Sequence, residues 1–408
     1  MKILFVSQHY RPEPFRLSDI CEDLVERGHE VTVLTGIPNY PEGKIYADYR
    51  NKQNRRETIE GVTVFRSYTI PRGKSTLHRI LNYFSFAISS SIGVLLGQYK
   101  AKDGSEFDCV FVNQSSPVMM AWAGMAYKNK YKKPLFLYCM DVWPDSLTVG
   151  GVKQDSLIFK LFKFISKKVY RASDYIFVTS PSFKNHFVNQ FDITEQKITY
   201  LPQYAEDLFI PDESIVNKES VDLTFAGNIG KAQNLETILK AASLIEKNTD
   251  LPKKIHFHFV GDGTELLSMK ALAHELELKN VSFYGRRSLE EMPTFYKKSD
   301  AMLVSLIGDS IVSRTIPGKV QSYMAAGKPI IGAISGDTKT IVEEANCGYV
   351  SSEQDVEQLA QNICEFSMLS IEEQKELGKQ ARSYYEKHFS KEQFMTQLEK
   401  YLREEFSL

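Results

Sequence analysis

The residues best suited to chemistry lie in one short stretch, RTIPGKVQSYMAAGKP, at positions 314–329. Pro317 and Gly318 precede a short apolar helical pattern, and Gly327 follows it, which is typical of helix boundaries. The start of a helix presents free backbone N–H groups and the positive end of the helix dipole. Lys319 adds a full positive charge at the same place. This combination predicts an anion site that suits a diphosphate.

Two glycine-containing turns follow predicted strands earlier in the chain. The first is AGNIG, in which Gly227, Gly230 and the amide of Asn228 would let the backbone and a polar group approach a ligand. The second is GDG, residues 261–263. Either turn is also consistent with a plain strand-to-helix connection. The sequence contains neither GxGxxG nor GxxxxGK[ST], so neither a dinucleotide fingerprint nor a P-loop is indicated.

A carboxylate, Asp141, comes directly after the predicted strand PLFLYC and its neighbour Met140. At a strand end it is placed to accept a proton from an acceptor hydroxyl, or alternatively to cap the turn that follows. No Asp-x-Asp pair occurs in the chain, so a carboxylate-held metal on a nucleotide diphosphate is not indicated. The diphosphate would instead be neutralised by helix starts and basic side chains.

Further candidate residues lie in the loops after the first two predicted strands. Phe15 and Arg16 belong to the first loop and Asn39 to the second. Arg16 would be able to reach a phosphate across a cleft. The alternative is a solvated arginine beside Asp19 or Glu22.

The composition limits the classes of protein that fit. The chain has 408 residues, enough for two domains that each bury a core. Hydrophobic content of 43% and charged content of 25% are ordinary for a globular protein. A formal net charge of -1 gives no overall attraction to nucleic acid, and we expect no such partner. The five cysteines are scattered without metal-ligand spacing, which predicts reduced thiols in a cytoplasmic protein.

Short apolar runs alternate with helical patterns along most of the chain, which is typical of parallel strands buried on both faces. The predicted strands are KILFVS, VTVLT, GVTVFRS, FDCVFVN, PLFLYC, SDYIFVTS and KITYLP in a first series and VDLTFAG, IHFHFVG, VSFYG, DAMLVSLI, PIIGAI and GYV in a second. Polar residues at about 204–220 separate the series and resemble a linker. The pattern predicts an α/β protein with two Rossmann-like, doubly wound domains that face each other across a cleft.

Two predicted helices have unusual surfaces. Residues 80–99 carry no charge over a length that would reach across a bilayer, but Asn82, four serines and two glycines make them a poor span. We interpret this segment as a helix buried in protein or lying at a membrane face. Residues 156–171 combine leucines and phenylalanines with lysines, a basic amphipathic helix that suits an anionic membrane. A core-facing stripe with a solvated charged back is the alternative.

As a set, these loops resemble those of the GT-B glycosyltransferases of family 4. Within that family the chain is similar to the bacterial capsule and O-antigen branch that includes N-acetyl-fucosamine transferases. The matching pieces cover nearly the whole chain in the order of the family: RPEPFRLSDI, ERGHEVTVLTGIPNYPEGK, DVWPDSL, AGNIGKAQNLETILKAA, FVGDG, VSFYGRRSLEEMP and TIPGKVQSYMAAGKPI.

The resemblance implies a retaining transferase that moves a sugar from a nucleotide diphosphate, usually UDP, to a hydroxyl of a growing glycan. The acceptor in this branch is often a polyprenyl-diphosphate-linked saccharide at the cytoplasmic membrane face. The resemblance also implies an acceptor domain at 1–205 and a donor domain at 206–389. A C-terminal helix at about 390–408 would pack back on the first domain. The UDP-sugar would be a donor substrate, with no cofactor.

Carried over by position, the AGNIG turn and Gly318 with Lys319 would face the diphosphate, and Pro317 and Ser322 belong to the same nucleotide-binding segment. The nucleotide base would lie by three consecutive residues, Gly285, Arg286 and Arg287.

Two departures from the family pattern concern the donor site. Asn228 and Gln233 stand where many members have arginine and lysine. Arg314 and Ser322 stand where most members carry two glutamates eight positions apart. The usual acidic contacts to donor sugar and ribose are therefore missing, and phosphate binding shifts to Lys319, Arg16 and backbone N–H groups.

The sequence therefore favours a metal-independent, retaining hexosyl or N-acetylhexosaminyl transferase of cell-surface polysaccharide biosynthesis. Lys319 and the helix-start N–H groups would stabilise the departing UDP, and Asp141 would assist the acceptor. We expect a peripheral protein at the inner face of the cytoplasmic membrane, with a nucleotide sugar, a lipid-linked saccharide and the anionic membrane surface as partners.

Two alternatives stay open. A UDP-sugar epimerase also uses two Rossmann-like domains, although it requires carboxylates and a histidine that the cleft loops supply sparsely. A non-catalytic nucleotide-sugar or membrane-surface binding module would explain the missing glutamates.

Overall fold

The computed structural model describes residues 1–73, 75–148, 150–212, 219–248, 251–308, 311 and 315–404. The chain divides into two compact units. The first consists of Met1–Thr179, Phe183–Leu201 and the end of the chain from Glu399, and the second of Ser180–Ser182 and Pro202–Leu398. Each unit contains one parallel or nearly parallel sheet with helices, so the predicted two-domain, Rossmann-like α/β architecture is confirmed.

The first unit is built on an eight-stranded sheet in the order β3-β4-β2-β1-β5-β6-β7-β8. Its strands are β1 Lys2–Val6, β2 Glu30–Thr35, β3 Arg56–Ile59, β4 Val62–Arg66, β5 Cys109–Gln114, β6 Leu135–Cys139, β7 Tyr175–Val178 and β8 Ile198–Tyr200. The apolar runs become central strands because both faces are covered: β5 and β6 are buried at every residue.

The helices that follow these strands are α1 Leu17–Glu26, α2 Thr76–Leu95, α3 Trp122–Tyr131, α4 Leu157–Ala172 and α5 Pro181–Phe191. Short 3-10 turns lie at Ala47–Lys52, Val118–Ala121, Asp145–Thr148 and Glu195–Lys197. The chain leaves β1 towards β2 on one side and returns to β5 on the other. The crevice of this sheet therefore lies beyond the carboxyl ends of β1 and β5.

The edge strand β3 differs from the prediction of an entirely parallel sheet. It pairs antiparallel with β4, and Ile59 faces Val62 across the turn. The two turn residues, Glu60 and Gly61, have φ of +45° and +78°. This is the left-handed backbone that tight hairpins need. The usual Asn-Gly or Asp-Gly signal is absent from Glu60-Gly61, so the sequence analysis missed the hairpin.

The second unit is built on a six-stranded parallel sheet in the order β11-β10-β9-β12-β13-β14. Its strands are β9 Ser220–Ala226, β10 Lys254–Val260, β11 Val281–Gly285, β12 Ala301–Ser305, β13 Ile330–Ala333 and β14 Gly348–Ser351. Its helices are α6 Leu235–Glu246, α7 Leu266–Glu275, α8 Met292–Lys298, α9 Gly318–Ala325, α10 Gly336–Glu344, α11 Val356–Met368 and α12 Ile371–His388. Short turns lie at Lys231–Gln233 and Leu289–Glu291. The strand order reverses between β9 and β12, which places a crevice beyond their carboxyl ends.

The last helix, α13 Lys391–Glu404, ends within the first unit. There Glu399 accepts from His29 Nε2 at 2.8 Å and from Arg27 Nη1 at 3.3 Å. In the predicted linker, Tyr204 and Phe209 are buried, whereas Asp207 and Ile210 are exposed. Residues 213–218 of that stretch lie outside the described residues.

Among the described helices, none combines the length and apolar character that a bilayer span requires. The four cysteines Cys21, Cys109, Cys139 and Cys347 are buried, and the more accessible Cys364 is free as well.

Candidate functional site

The second unit joins three strand-end turns into one hydrogen-bonded surface. The Gly227 N–H donates to the Val260 carbonyl at 2.9 Å, and the Gly261 N–H donates to the Gly285 carbonyl at 2.9 Å. The Ile229 N–H donates to the Asp262 carbonyl at 2.9 Å. The turns after β9, β10 and β11 are thus held edge to edge at the carboxyl end of the sheet. The AGNIG, GDG and GRR segments, which the sequence treated separately, form one surface.

The close approach of the turns after β9 and β10 requires glycine at position 261. Its φ is +150°, and a Cβ there would lie 1.8 Å from the Gly227 carbonyl oxygen. Gly263 is similarly confined, since a Cβ would lie 2.2 Å from the Ile229 carbonyl oxygen. Glycine is needed at both positions because the backbone of another turn approaches closely. The two glycines therefore allow the turns to pack together, whether or not a ligand is bound.

The start of α9 lies against the first of these turns. Pro317 is the N-cap of the helix and Gly318 is its first residue, so the helix begins one residue earlier than the sequence pattern predicts. The Tyr323 hydroxyl accepts from the Ala226 N–H at 3.0 Å and donates to the Ala226 carbonyl at 3.2 Å. This buried double contact fixes α9 to the end of β9, so the free N–H groups of the helix start lie at the crevice between β9 and β12.

Lys319 lies at the centre of this arrangement. Its Nζ donates to Gln233 Oε1 at 2.6 Å and lies 3.8 Å from the centroid of the buried Phe225 ring. A Cβ on Gly227 would lie 3.1 Å from the same Nζ, so the glycine leaves room for the ammonium. Burial lowers the pKa of Lys319 to about 7. Among the described residues no carboxylate forms an ion pair with it, and a diphosphate would supply the missing negative charge.

The other candidates of this unit occupy different positions on the same surface. Asn228 is exposed on the turn, and Gly230 is half-buried beside it. Arg286 and Arg287 are exposed after β11, and Arg287 is 3.6 Å from Glu291. They lie at the outer end of the surface, away from Lys319 in the strand order. Arg314 lies outside the described residues.

Ser322 is buried within α9 and 4% exposed. Its hydroxyl donates to the Gly318 carbonyl at 3.3 Å and approaches Glu206 Oε2 at 3.4 Å. Glu206 was not singled out from the sequence, because it lies within the stretch at about 204–220 that was interpreted as a linker.

In the first unit, Asp141 belongs to a hydrogen-bonded loop. Its carboxylate accepts from the Ser116 hydroxyl and from Trp143 Nε1, the latter at 3.1 Å. Trp143 Nε1 also donates to the Ser116 oxygen at 2.8 Å. Burial raises the pKa of Asp141, and the hydrogen bonds oppose that rise. One carboxylate oxygen thus accepts from two side-chain donors, which ties Asp141 to Ser116 and Trp143.

Asn39 holds its loop together rather than facing outwards. It is 1% exposed, its Nδ2 donates to the Ile37 carbonyl at 2.8 Å, and its Oδ1 accepts from the Arg72 N–H at 2.9 Å. Arg16 is the N-cap residue of α1 and is half-buried. Burial raises the pKa of Tyr138, and the nearby positive charge of Arg16 opposes that rise.

The loop that carries Phe15 contains a buried pair that the sequence analysis overlooked. His9 Nδ1 lies 2.8 Å from Glu13 Oε2, and the two residues are 6% and 2% exposed. The Phe15 ring stacks on the His9 ring with centroids 4.7 Å apart. The only sequence signal was a histidine and a glutamate four positions apart, directly after the first strand.

Within the described part of the chain, no group of three or more histidine, cysteine, aspartate or glutamate side chains is arranged to hold a metal ion.

Comparison with known proteins finds a glycosyltransferase family model that matches each unit. A model of the family "Glycosyltransferase Family 4" matches residues 16–203, and a model of the family "Glycosyl transferases group 1" matches residues 208–384. WcaI of Escherichia coli strain K12, named as a candidate colanic acid biosynthesis glycosyl transferase, is 26% identical over an alignment of 354 residues that covers 80% of this chain and 82% of WcaI.

Solved structures with the GT-B fold superpose on nearly the whole chain. Sucrose-phosphate synthase of Thermosynechococcus elongatus has a TM-score of 0.72 at 16% identity and covers 99% of both chains. HepE of Anabaena, solved in complex with UDP and glucose, has a TM-score of 0.69 at 15% identity over 99% of this chain and 100% of HepE. At such identities the superpositions establish the fold, which is the predicted GT-B fold.

Proposed function

The chain belongs to the GT-B glycosyltransferases of family 4, and from this premise we propose that it transfers a sugar from a UDP-sugar to a hydroxyl of a lipid-linked glycan. The proposed transfer retains the configuration of the sugar, needs no metal, and serves the biosynthesis of a cell-surface polysaccharide.

The observation that carries the proposal is the environment of Lys319. A partly buried ammonium, without a carboxylate partner among the described residues, lies at the start of α9 beside the turn after β9. Placing a cation there costs free energy in the free protein, because burial disfavours the charged form. A diphosphate between the Gly227 turn and the start of α9 would offset that cost.

The same arrangement favours departure of the nucleotide. When the bond between sugar and phosphate breaks, negative charge grows on the diphosphate. Lys319 and the N–H groups at the start of α9 are already oriented before that charge develops, so little reorganisation is needed in the transition state. No protein nucleophile is required for a displacement in which the acceptor hydroxyl attacks from the side of the leaving group.

Uridine as the nucleotide is supported by the fold relative HepE, which binds UDP and glucose in its solved complex. The exposed Arg286 and Arg287 after β11 would lie by the base. Glu206, beside Ser322, would supply a carboxylate to the donor in place of the family glutamate.

The acceptor is proposed from relatives and loops. WcaI is named for colanic acid biosynthesis. The resemblance to the capsule and O-antigen branch, which includes N-acetyl-fucosamine transferases, supports a lipid-linked saccharide as the acceptor. Asp141, tied to Ser116 and Trp143, would shape the acceptor loop beyond β5 and β6.

A membrane surface is proposed as a further partner because two helices of the first unit expose apolar rows. On α4 these are Leu157, Ile158, Leu161 and Phe164, each more than half exposed. On α2 they are Ile80, Leu81, Ile88, Ile92 and Leu95. Trp143 touches both helices, through Tyr83 of α2 and Phe162 of α4. The exposed Lys160 and Lys168 lie among the apolar residues of α4, which suits anionic headgroups.

A panel of UDP-sugars tests the function. We expect one of them to raise the thermal midpoint by mass action and then to be consumed when a lipid-linked saccharide extract is added. Conversion of the free UDP-sugar without any acceptor would instead favour an epimerase. Binding without transfer to any acceptor in the panel would favour a non-catalytic module. Absence of binding by every nucleotide sugar tested would refute the proposal.

A further inference from the structure

The buried His9–Glu13 pair lies where the first sheet offers a ligand site. Both residues belong to the loop after β1, and the strand order of this sheet reverses between β1 and β5. Crevices at such reversals are the usual ligand sites of open α/β sheets. The pair has a chemistry that neither Asp141 nor Asn39 offers, because one ring nitrogen remains uncommitted.

Glu13 is held rigidly. Its Oε1 accepts from the backbone N–H groups of Asn39 and Tyr40, each at 2.7 Å, and its Oε2 faces His9 Nδ1 at 2.8 Å. The carboxylate therefore connects the loop after β1 with the loop after β2. A buried charge is tolerated here because three donors surround it.

This contact determines which nitrogen of His9 carries the proton. A carboxylate can only accept, so we assign the proton of the neutral imidazole to Nδ1. The other nitrogen, Nε2, is then a hydrogen-bond acceptor. Nε2 has no hydrogen-bond partner among the described residues. It is also not one of the fully buried polar atoms without a partner, so it is accessible to solvent.

Aromatic rings surround the imidazole. Phe15 stacks on His9 with an interplanar angle of 11°. The Tyr40 ring lies 5.3 Å from Phe15 and 5.7 Å from His9, measured between ring centroids. Phe15 and Tyr40 are half-buried, so part of each ring is accessible. Partly exposed rings beside one oriented polar atom suit a sugar, whose C–H faces pack on aromatic rings while its hydroxyls need hydrogen bonds.

We propose that His9 binds the acceptor hydroxyl through Nε2, that Glu13 is the positioning residue for His9, and that Phe15 and Tyr40 hold the ring that bears the hydroxyl. The acceptor group is then a hydroxyl on a pyranose or furanose ring, not one on a lipid or a peptide. This inference rests on the proposed transferase function. It assigns hydroxyl binding to His9 and leaves Asp141 with the loop structure.

Glu13→Gln tests the positioning role. The amide nitrogen of glutamine would donate to Nδ1, so the imidazole proton would move to Nε2 and the acceptor atom would be lost, while the amide oxygen could still accept the backbone N–H groups. Nitrogen-15 NMR of the imidazole reports the tautomer without any turnover. We expect a protonated Nδ1 in the wild type and a protonated Nε2 in the variant, with transfer to the saccharide reduced about 10²-fold or more.

A matched control uses another histidine–glutamate contact of this unit, between the buried His29 and the partly buried Glu399, which lies before β2 at the opposite end of the strands. Glu399→Gln makes the same chemical change there. It is expected to leave the His9 tautomer and the transfer rate unchanged.

A second variant covers the case in which Glu13→Gln fails to fold. His9→Phe keeps the stack on Phe15 but removes Nε2. Its transfer to the saccharide should fall about 10²-fold. UDP binding and the slow hydrolysis of UDP-sugar by water should remain within about twofold of wild type, since they need no saccharide hydroxyl.

Three outcomes separate the ideas. A wild-type protein that does not bind UDP would refute the transferase function itself. Intact UDP-sugar hydrolysis with unchanged transfer in His9→Phe would overturn the assignment of His9 alone. A wild-type His9 with its proton on Nε2 would overturn the role of Glu13.

Discussion

At the scale of a single residue, Lys319 shows how a buried charge opposes stability. Burial lowers its pKa to about 7, whereas an exposed lysine in the unfolded chain titrates near 10.5. Between these values the unfolded chain binds more protons than the folded chain, so this residue makes the protein more stable as the pH rises through that window. Below pH 7 the penalty of the buried charge is complete.

Replacement of Lys319 separates its effect on catalysis from its effect on stability. Lys319→Met should lower kcat for transfer by about 10²-fold or more, because it removes charge stabilisation in the transition state. The same variant should unfold at an equal or higher temperature than wild type, with a larger difference at pH 6 than at pH 9. Steady-state kinetics and thermal unfolding at both pH values measure this. Lys240→Met, which changes a half-exposed lysine paired with Glu236, is the matched control.

Binding of UDP should take up a proton. The diphosphate supplies the counter-charge that Lys319 lacks, so the pKa of Lys319 rises in the complex and affinity falls as the pH increases from about 7 towards 9. Calorimetry in two buffers of different ionisation enthalpy measures the uptake directly. An affinity that is flat over this range in the wild type, or an equal slope in Lys319→Met, would contradict the assignment.

At the scale of elements, the site is made by loops that support one another. The turn after β9 bonds to the turn after β10, which bonds to the end of β11, and Tyr323 attaches α9 to the same edge. Because the backbones approach so closely, a small change in one turn displaces the others.

Gly261→Ala should therefore destabilise the second unit by about 3 kcal/mol or more, since it combines left-handed backbone with a Cβ against the Gly227 carbonyl. It should also weaken UDP binding. Gly104→Ala isolates the cost of the backbone alone, because Gly104 has φ +81° and nothing within 4 Å of its Cβ, and should cost about 1 kcal/mol. Chemical denaturation compares the two; equal costs would mean that the turns are not packed as described.

The exposed apolar rows of α2 and α4 are the surface proposed to contact a membrane. Changing Leu157, Leu161 and Phe164 together to serine should lower binding to anionic vesicles at least about tenfold, because each exposed apolar side chain contributes when it enters the interface. Co-sedimentation in low and high salt measures it, and wild-type binding should fall in high salt. Leu267→Ser, which changes a leucine 81% exposed on α7, is the control. Indifference of the wild type to vesicles would remove the membrane proposal.

At the scale of the whole molecule, the two units carry separate parts of the proposed reaction. The residues of the second unit proposed to bind the diphosphate surround Lys319, whereas the His9–Glu13 pair belongs to the first unit. Each unit has its own sheet and its own strand-order reversal, so each can present a ligand site independently of the other.

Amide hydrogen exchange can show which unit binds UDP. UDP should slow amide exchange in the turns at 226–230 and 261–263 and in α9, where backbone N–H groups would become bonded or less mobile. The sheet of the first unit should show no comparable change. Mass spectrometry of peptides from both units measures this in one experiment. Protection confined to the first unit would place the nucleotide elsewhere.

Local patterns in the sequence determined much of this protein. Apolar runs identified nearly all strands, because a strand buried on both faces must be apolar throughout. The sequence also indicated the glycine turns after β9 and β10 and the lysine at the start of α9. Each of these features depends only on neighbours within a few positions. The β3 hairpin was missed because its turn lacks the usual dipeptide.

The tertiary structure alone decided which side chains meet. Glu13 contacts the N–H of Asn39, 26 positions away, and Ser322 lies beside Glu206, 116 positions away. Lys319 reaches Gln233 across 86 positions. Such contacts follow from the order of strands in each sheet, which brings the ends of non-consecutive segments to one edge. Hydrophobic periodicity encodes which face of a strand is buried, but it does not encode that order.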